Sequence, residues 1–155
     1  MARPPDVGDL APDFILPSTD GPVSLSERLR DGGAVLLVFF PQDNTLVCTR
    51  QLCNYRDNLS VIETLDVELI AINPDPLDVH GAFAEKHKFP FPLCSDPDRR
   101  VCHAYGALGD LFKLRRVLVL VGEDGRVWWR HSELRAFYRK ASELARVIAE
   151  LRAER

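Results

Sequence analysis

The sequence lacks any apolar run long enough to cross a membrane. Its longest runs, such as Ala34 to Pro41, fall far short of the roughly 20 residues that a spanning helix needs. It also lacks an excess of positive charge, because 20 basic and 23 acidic residues give a formal charge of −3, which does not favour nucleic-acid binding. The first residues, Met1 to Asp6, contain no apolar signal core. We therefore expect a cytoplasmic protein that binds neither membranes nor nucleic acids.

Internal repeats and low-complexity stretches are also absent, whereas hydrophobic residues make up 46% of the chain. A chain of 155 residues has the usual size of one domain and can bury a core, so we predict a single domain over residues 1–155. Cysteine is scarce, with four residues. In the cytoplasm such cysteines serve catalysis, redox sensing or metal binding more often than structural disulfides.

Hydrophobic patterning predicts alternating strands and helices. The predicted strands are 14–16, 23–25, 34–40, 67–72, 91–94, 117–121 and 126–131. The predicted helices are one turn over 26–30, a long helix with the apolar stripe Cys48, Leu52, Tyr55, Leu59 and Ile62, helices over 77–89 and 99–105, and a last helix with Phe137, Ala141, Leu144, Ile148 and Leu151 on one face. This order favours an α/β protein with a thioredoxin-like fold, in which helices flank a mixed central β-sheet, with an N-terminal hairpin.

Cys48 is distinguished by its position, just after a buried strand and where a helix begins. Ligands in open α/β sheets favour the carboxyl ends of strands. The positive end of a helix dipole favours thiolate over thiol, and the thiolate is the nucleophile. Position alone leaves another interpretation open, since Cys48 also lies on the apolar stripe and would serve as a small packing residue.

The surrounding residues resemble the peroxiredoxin signature Pro-x-x-x-Thr-x-x-Cys, here Pro41, Thr45 and Cys48. The similarity is greatest to the bacterioferritin-comigratory-protein or PrxQ branch, which also has a second cysteine five residues on, here Cys53. The chain departs from that branch at Leu46-Val47, where Pro-Gly is usual, and this predicts a more apolar pocket entrance. The resemblance covers most of the chain and includes Gly8 to Phe14, Arg56-Asp57, Phe91 to Asp96, Tyr105-Gly106, Arg116 and Asp124-Gly125.

The resemblance implies a thiol peroxidase without cofactor or metal, in which the Cys48 thiolate attacks a peroxide and becomes a sulfenic acid. It implies that Arg116 places a cation beside the sulfur, that the Thr45 hydroxyl orients thiolate and peroxide, and that the Pro41 ring shields the sulfur from water. Cys53 would then form an intramolecular disulfide with Cys48. Thioredoxin or a similar dithiol would reduce that bond, and the branch is often monomeric.

Simpler roles remain open for three of these residues. Thr45 would also serve as a helix N-cap, and Pro41 would also end the strand. Arg115 competes with Arg116, because adjacent strand residues point to opposite faces of a sheet.

Two other classes of function compete with a peroxidase. A dithiol-disulfide oxidoreductase acting on proteins would use Cys-x-x-Cys, whereas four residues separate Cys48 and Cys53. A metal site built from the cysteines and His103 is disfavoured because Cys94 and Cys102 are too far apart in sequence, and we interpret these two as buried packing residues. The remaining histidines, at surface-like positions, suggest no specific role: His80, His87 and His131.

Helix geometry constrains the proposed disulfide. Five residues along an ideal helix separate two Cα atoms by about 8.7 Å and two side chains by about 140° around the axis. A disulfide requires roughly 4.4 to 6.8 Å between Cα atoms. We therefore expect that Cys48 and Cys53 bond only after the helix between them opens.

Overall fold

The strands and helices come from a computed structural model, which describes residues 3–109, 113–133 and 136–155. The strands are β1 (Ile15–Leu16), β2 (Val23–Ser24), β3 (Ala34–Phe39), β4 (Val67–Asn73), β5 (Leu93–Ser95), β6 (Arg116–Val121) and β7 (Val127–Glu133). The helices are α1 (Leu25–Arg30), α2 (Leu46–Asp57), α3 (Leu59–Glu63), α4 (Leu77–His87), α5 (Arg100–Ala104) and α6 (Ala141–Ala153).

The five longer strands form one mixed sheet in the order β5-β4-β3-β6-β7. Strands β3, β4 and β5 run parallel, whereas β6 pairs antiparallel with β3 and with β7. Strands β1 and β2 form a separate antiparallel hairpin near the N-terminus, as predicted. Helices cover both faces of the sheet, so the predicted fold class is confirmed.

The central strands are continuous apolar runs because both of their faces are covered. On β3, Leu36 and Val38 face a core that includes α2, α4 and α6. Leu37, one residue on, faces a second core with β1, β2 and α5. The same alternation holds on β6, where Leu118 lies in the first core and Val119 in the second. The strand residues therefore decide which side chains share a face with α2.

The long helix predicted through Cys48 and Ile62 is two helices, and this prediction was wrong. Helix α2 ends at Asp57 and α3 begins at Leu59, with Asn58 between them outside helical geometry at φ −123° and ψ 19°. The Asn58 side-chain amide donates to the carbonyl of Asn54 at 2.9 Å. Asparagine favours such local bonds over the helix interior, which explains the break.

The last predicted helix begins later than its apolar stripe suggested. Phe137 is 61% exposed and precedes α6, which starts at Ala141, so its assignment to the buried face was wrong. Ala141, Leu144 and Ile148 are buried as expected. Within the described ranges, none of the helices combines the length and apolarity needed to cross a membrane.

Candidate active site

Cys48 lies in the first turn of α2, close behind the carboxyl end of β3. The first helical hydrogen bond runs from the Thr49 amide to the Thr45 carbonyl at 2.9 Å. The backbone N–H groups that precede Thr49 in this first turn have no acceptor within the helix. Together with the helix dipole they make the amino end of α2 positive. The Cys48 side chain is 1% exposed. Its sulfur is therefore held in a dry pocket at the positive end of a helix.

The pairing of β3 with β6 brings Arg116 to this pocket from far along the chain. Phe39 is the partner of Val117 in the antiparallel register, so Arg116, the first residue of β6, lies beside the end of β3. Alternation along β6 places Arg116 on the same face of the sheet as Leu118 and Leu120, whose side chains face the core that contains Cys48. Sheet register and alternation together direct its side chain toward α2.

The Arg116 guanidinium donates to the Cys48 sulfur with both terminal nitrogens, Nη1 at 3.3 Å and Nη2 at 3.4 Å. Arg116 is only 1% exposed, so its charge acts on the sulfur with little screening by water. Arg115 lies elsewhere, with its amide bonded to the Ala107 carbonyl at 2.7 Å and its side chain beside Gly109. The structure thus brings Arg116, and not Arg115, to Cys48.

Two further α2 residues, Gln51 and Tyr55, hold Arg116 in place. The Arg116 Nη1 also donates to Gln51 Oε1, and Gln51 Nε2 donates to the Tyr55 hydroxyl at 3.1 Å. The Tyr55 hydroxyl donates in turn to the Arg139 carbonyl at 2.6 Å. Burial raises the pKa of Tyr55, which keeps the hydroxyl protonated as a donor. This series of hydrogen bonds fixes the Arg116 guanidinium in the orientation that contacts the Cys48 sulfur.

The sequence pattern predicted no role for Gln51 and predicted Tyr55 only as a residue of the apolar stripe. Both lie on the same helix face as Cys48, three and seven residues on. That spacing, with a polar residue on a buried face, was the available signal.

Thr45 and Pro41 lie on the loop between β3 and α2. Thr45 is the N-cap residue by backbone geometry, but its side chain does not cap the helix. Its hydroxyl instead donates to the Gln42 carbonyl at 2.9 Å, which closes the loop on itself. Pro41 is partly buried at the end of β3. The loop therefore brings both residues to the amino end of the Cys48 helix, and their roles toward peroxide stay predictions.

A buried pair of ionisable groups, Asp43 and His80, supports the same loop. His80 was predicted at a surface-like position, and this prediction was wrong, because His80 is fully buried on α4. Its Nδ1 lies 2.6 Å from Asp43 Oδ2, and its Nε2 donates to the Cys94 carbonyl at 3.1 Å. Because a carbonyl only accepts, Nε2 is a donor, and Nδ1 is left to form the hydrogen bond with the Asp43 carboxyl group. The prediction failed because the partner of His80 is distant in sequence.

The Asp43 segment is tied to β4 and its following turn as well. Asn73 Nδ2 donates to Asp43 Oδ1 at 3.0 Å, and the Asp43 amide donates to Asp75 Oδ2 at 2.7 Å. The Asp75 amide donates to Asn73 Oδ1 at 2.8 Å. The loop that leads into Cys48 is therefore anchored through Asp43 to three other segments of the fold.

Cys53 lies on α2 with Cys48 but is only half-buried, and the two are free thiols. Its sulfur lies 3.8 Å from His87 Nδ1 on α4. The two cysteines thus occupy different surroundings within one intact helix, as the helix geometry predicts.

The other two cysteines, Cys94 and Cys102, are fully buried and outside this pocket, as predicted. Burial raises the pKa of Cys94 to about 12, and burial and then the charge of Asp96 raise that of Cys102 as well. Both remain thiols at neutral pH.

Among the described residues, no cluster of three or more His, Cys, Asp or Glu side chains would hold a metal ion. A surface cleft lined by Arg28 and Phe91 lies at the amino end of β4, away from Cys48.

Comparison with known proteins places this geometry in context. The AhpC/TSA family model matches residues 7–130. Peroxiredoxin Bcp of Escherichia coli strain K12 is 34% identical over 133 residues, which cover 81% of this chain and 84% of that protein. The chloroplastic peroxiredoxin Q of Sedum lineare is 39% identical over 106 residues, 68% of this chain and 56% of that protein. The crystal structure of peroxidoxin BcpB from Mycobacterium tuberculosis superposes with a TM-score of 0.82 at 31% identity, covering 97% of this chain and 99% of that one.

Proposed function

Because this chain belongs to the AhpC/TSA family and is a peroxiredoxin, a thiol-dependent peroxidase, we propose that Cys48 is the cysteine that attacks peroxide. The observation that carries this proposal is the contact of the Cys48 sulfur with both terminal nitrogens of Arg116, at 3.3 and 3.4 Å. A permanent cation at that distance favours the thiolate, and so does the amino end of α2.

The first step transfers one oxygen from the peroxide to sulfur. The Cys48 thiolate attacks the terminal peroxide oxygen, the O–O bond breaks, and the leaving oxygen takes a proton to give water or an alcohol. Sulfur is oxidised to a sulfenic acid and the peroxide is reduced. Negative charge grows on the peroxide oxygens as the bond breaks, and the fixed Arg116 guanidinium stabilises it.

The loop before α2 forms the wall of the peroxide pocket in this proposal. Thr45, through its hydroxyl, orients peroxide against the sulfur, and the Pro41 ring keeps water away from it. The buried Asp43–His80 pair supports this assignment, because it fixes the loop that carries both residues.

The second step forms a disulfide between Cys48 and Cys53. Cys53 is the nearest cysteine in sequence, and α2 must open between the two because an intact helix holds their Cα atoms about 8.7 Å apart. Thioredoxin or a similar dithiol then reduces the bond. The class of dithiol-disulfide oxidoreductases acting on proteins is a weaker proposal, since Cys-x-x-Cys is absent from the sequence.

We propose further that the protein acts in the cytoplasm as a monomer of one domain. The similarity to the bacterial peroxiredoxin Bcp supports this assignment.

Peroxide consumption in a coupled thioredoxin system tests the proposal. Wild type should turn over, and Cys48→Ser should not. Cys53→Ser should reduce about one equivalent of peroxide and then stop, because its sulfenic acid lacks an internal thiol. The double variant Cys94→Ala/Cys102→Ala is the matched control and should keep wild-type turnover. Sustained turnover by Cys48→Ser would disprove the assignment of the nucleophile.

A further inference from the structure

We propose that His87 is the base that removes the thiol proton of Cys53 in the resolving step, and that Arg56 positions the two residues by tying α2 to the end of α4. The inference rests on the proposed function, in which Cys53 resolves the sulfenic acid. Neither His87 nor Arg56 takes part in the attack on peroxide, so the inference adds a second catalytic centre to the cycle.

The Cys53–His87 contact joins two helices. Cys53 lies on α2 and His87 is the last residue of α4, and their Sγ and Nδ1 atoms are 3.8 Å apart. A proton between a sulfur and a ring nitrogen at this distance can pass from one to the other. Both side chains are half-buried, so the contact is partly shielded from water.

The His87 ring is fixed by aromatic neighbours. It stacks on Phe89 with centroids 5.5 Å apart and planes at 23°, and it meets the edge of Phe83 at 5.2 Å and 82°. A ring packed on two sides keeps Nδ1 aimed at the sulfur. This orientation is what a base requires before the proton moves.

The protonation state of His87 suits a base. Partial burial, and then the positive charges of Lys86 and Arg56, lower the pKa of His87 below its usual 6.5. The ring is therefore neutral at pH 7, with Nδ1 able to accept the Cys53 proton. The titratable groups around this contact also include Asp57 and Cys53 itself.

Arg56 tethers α2 to α4. Its Nη1 donates to the His87 carbonyl at 2.6 Å, which ties the C-terminal half of α2 to the end of α4. The hydrogen bond to Asp57, and further the charges of Cys53 and Asp57, raise the pKa of Arg56. The tether holds Cys53 at His87 while the Cys48 half of α2 unwinds toward it.

The step balances without an added reagent. His87 takes the proton from the Cys53 thiol and becomes an imidazolium. The Cys53 thiolate attacks the sulfur of the Cys48 sulfenic acid, an S–S bond forms, the S–O bond breaks and hydroxide leaves. The imidazolium returns its proton to hydroxide as water. The net reaction is thiol plus sulfenic acid to disulfide plus water.

Rapid-quench mass spectrometry after one equivalent of hydrogen peroxide separates the two steps. In His87→Asn we expect sulfenic acid at Cys48 to form at the wild-type rate and then to persist, with disulfide formation about 10- to 100-fold slower, since an amide takes up no proton. Wild-type disulfide formation should be nearly independent of pH above about 6.5, whereas the His87→Asn rate should rise about tenfold per pH unit because its thiol must ionise unaided. His103→Asn, at an exposed histidine on α5, is the matched control and should behave as wild type.

A second measurement tests the base without peroxide chemistry. In a Cys48→Ser background, iodoacetamide should alkylate Cys53 about tenfold more slowly at pH 7 when His87 is Asn or Gln, with the melting temperature showing that each variant is folded. Equal alkylation rates, or equal disulfide rates with the same pH profile, would overturn the role of His87 and leave the proposed function intact. If wild type forms no Cys48–Cys53 bond, the resolving assignment fails first and this inference falls with it.

Discussion

The Arg116 guanidinium donates to the Cys48 sulfur from two nitrogens, although 68 positions separate the two residues along the chain. The contact depends on the antiparallel register of β3 and β6, which places Arg116 beside the strand end that leads into Cys48. The planar arginine guanidinium donates two hydrogen bonds to the sulfur at once, which a single lysine ammonium group in its place would not do.

Arg116→Lys should therefore slow peroxide attack while leaving the fold intact. The lysine keeps the charge but loses the second contact and the bond to Gln51. We expect the second-order rate to fall about 10- to 100-fold, equivalent to about 1.4 to 2.7 kcal/mol of transition-state stabilisation. Stopped-flow measurement under single turnover gives this rate, with Arg115→Lys as the matched control. An undiminished rate in Arg116→Lys would place the role elsewhere.

Oxidation should remodel α2. Peptide mapping of peroxide-treated protein should find a Cys48–Cys53 bond, and far-UV circular dichroism should show the loss of helix expected when residues 45–55 are remodelled. The reduced protein should regain the signal when a dithiol is added. A dominant bond from Cys48 to Cys94, to Cys102 or to another chain would contradict the assignment of Cys53.

The double variant Cys94→Ala/Cys102→Ala should lose stability without losing turnover. Both thiols are fully buried and fill the core, so each truncation should lower the free energy of unfolding by about 1 kcal/mol. Urea unfolding and the peroxidase assay measure the two effects. Loss of turnover in a folded double variant would assign these cysteines a redox role.

The same two thiols predict a decline of stability at alkaline pH. Burial raises the pKa of Cys94 from 9.0 to about 12 and raises that of Cys102 too. Above pH 9 the unfolded chain releases these protons and the folded chain keeps them, so stability present below pH 9 is lost as pH rises toward 12. Each thiol contributes a slope of at most about 1.4 kcal/mol per pH unit. Between pH 8 and pH 10.5 the free energy of unfolding should fall less in the double variant than in wild type. An equal fall in the two proteins would disprove this prediction.

The Asp43–His80 pair should respond unequally to its two substitutions. His80→Phe leaves the Asp43 carboxylate buried without its partner and should cost about 3 to 5 kcal/mol. Asp43→Asn still offers a hydrogen bond to His80 and should cost about 1 kcal/mol. Urea unfolding ranks the two variants, and peroxide attack should slow in both because the loop before Cys48 loosens. Equal costs would show that the pair is not the anchor.

Local patterns in the sequence predicted the individual strands, the hairpin and the position of Cys48, because each depends on residues close together in the chain. Arg116 was predicted only through the family resemblance, with Arg115 left open until strand register decided between them. His80 was misplaced on the surface because the carboxylate that pairs with it, Asp43, lies 37 positions away. The prediction for Phe137 was wrong because the apolar spacing extends to a residue that precedes the start of α6 at Ala141.

The break at Asn58 limits how far an opening of α2 can spread. A 12-residue helix has little stability of its own in water, so α2 depends on its packing and its anchors. The hydrogen-bond ladder is interrupted before α3, whose Ile62 stays in the core. Amide hydrogen exchange should therefore detect low-energy opening within residues 46–57, greatest in the half that carries Cys48, while α3 and the sheet stay protected. The proposed Cys48–Cys53 bond would then remodel a small part of the fold that ends at Asn58.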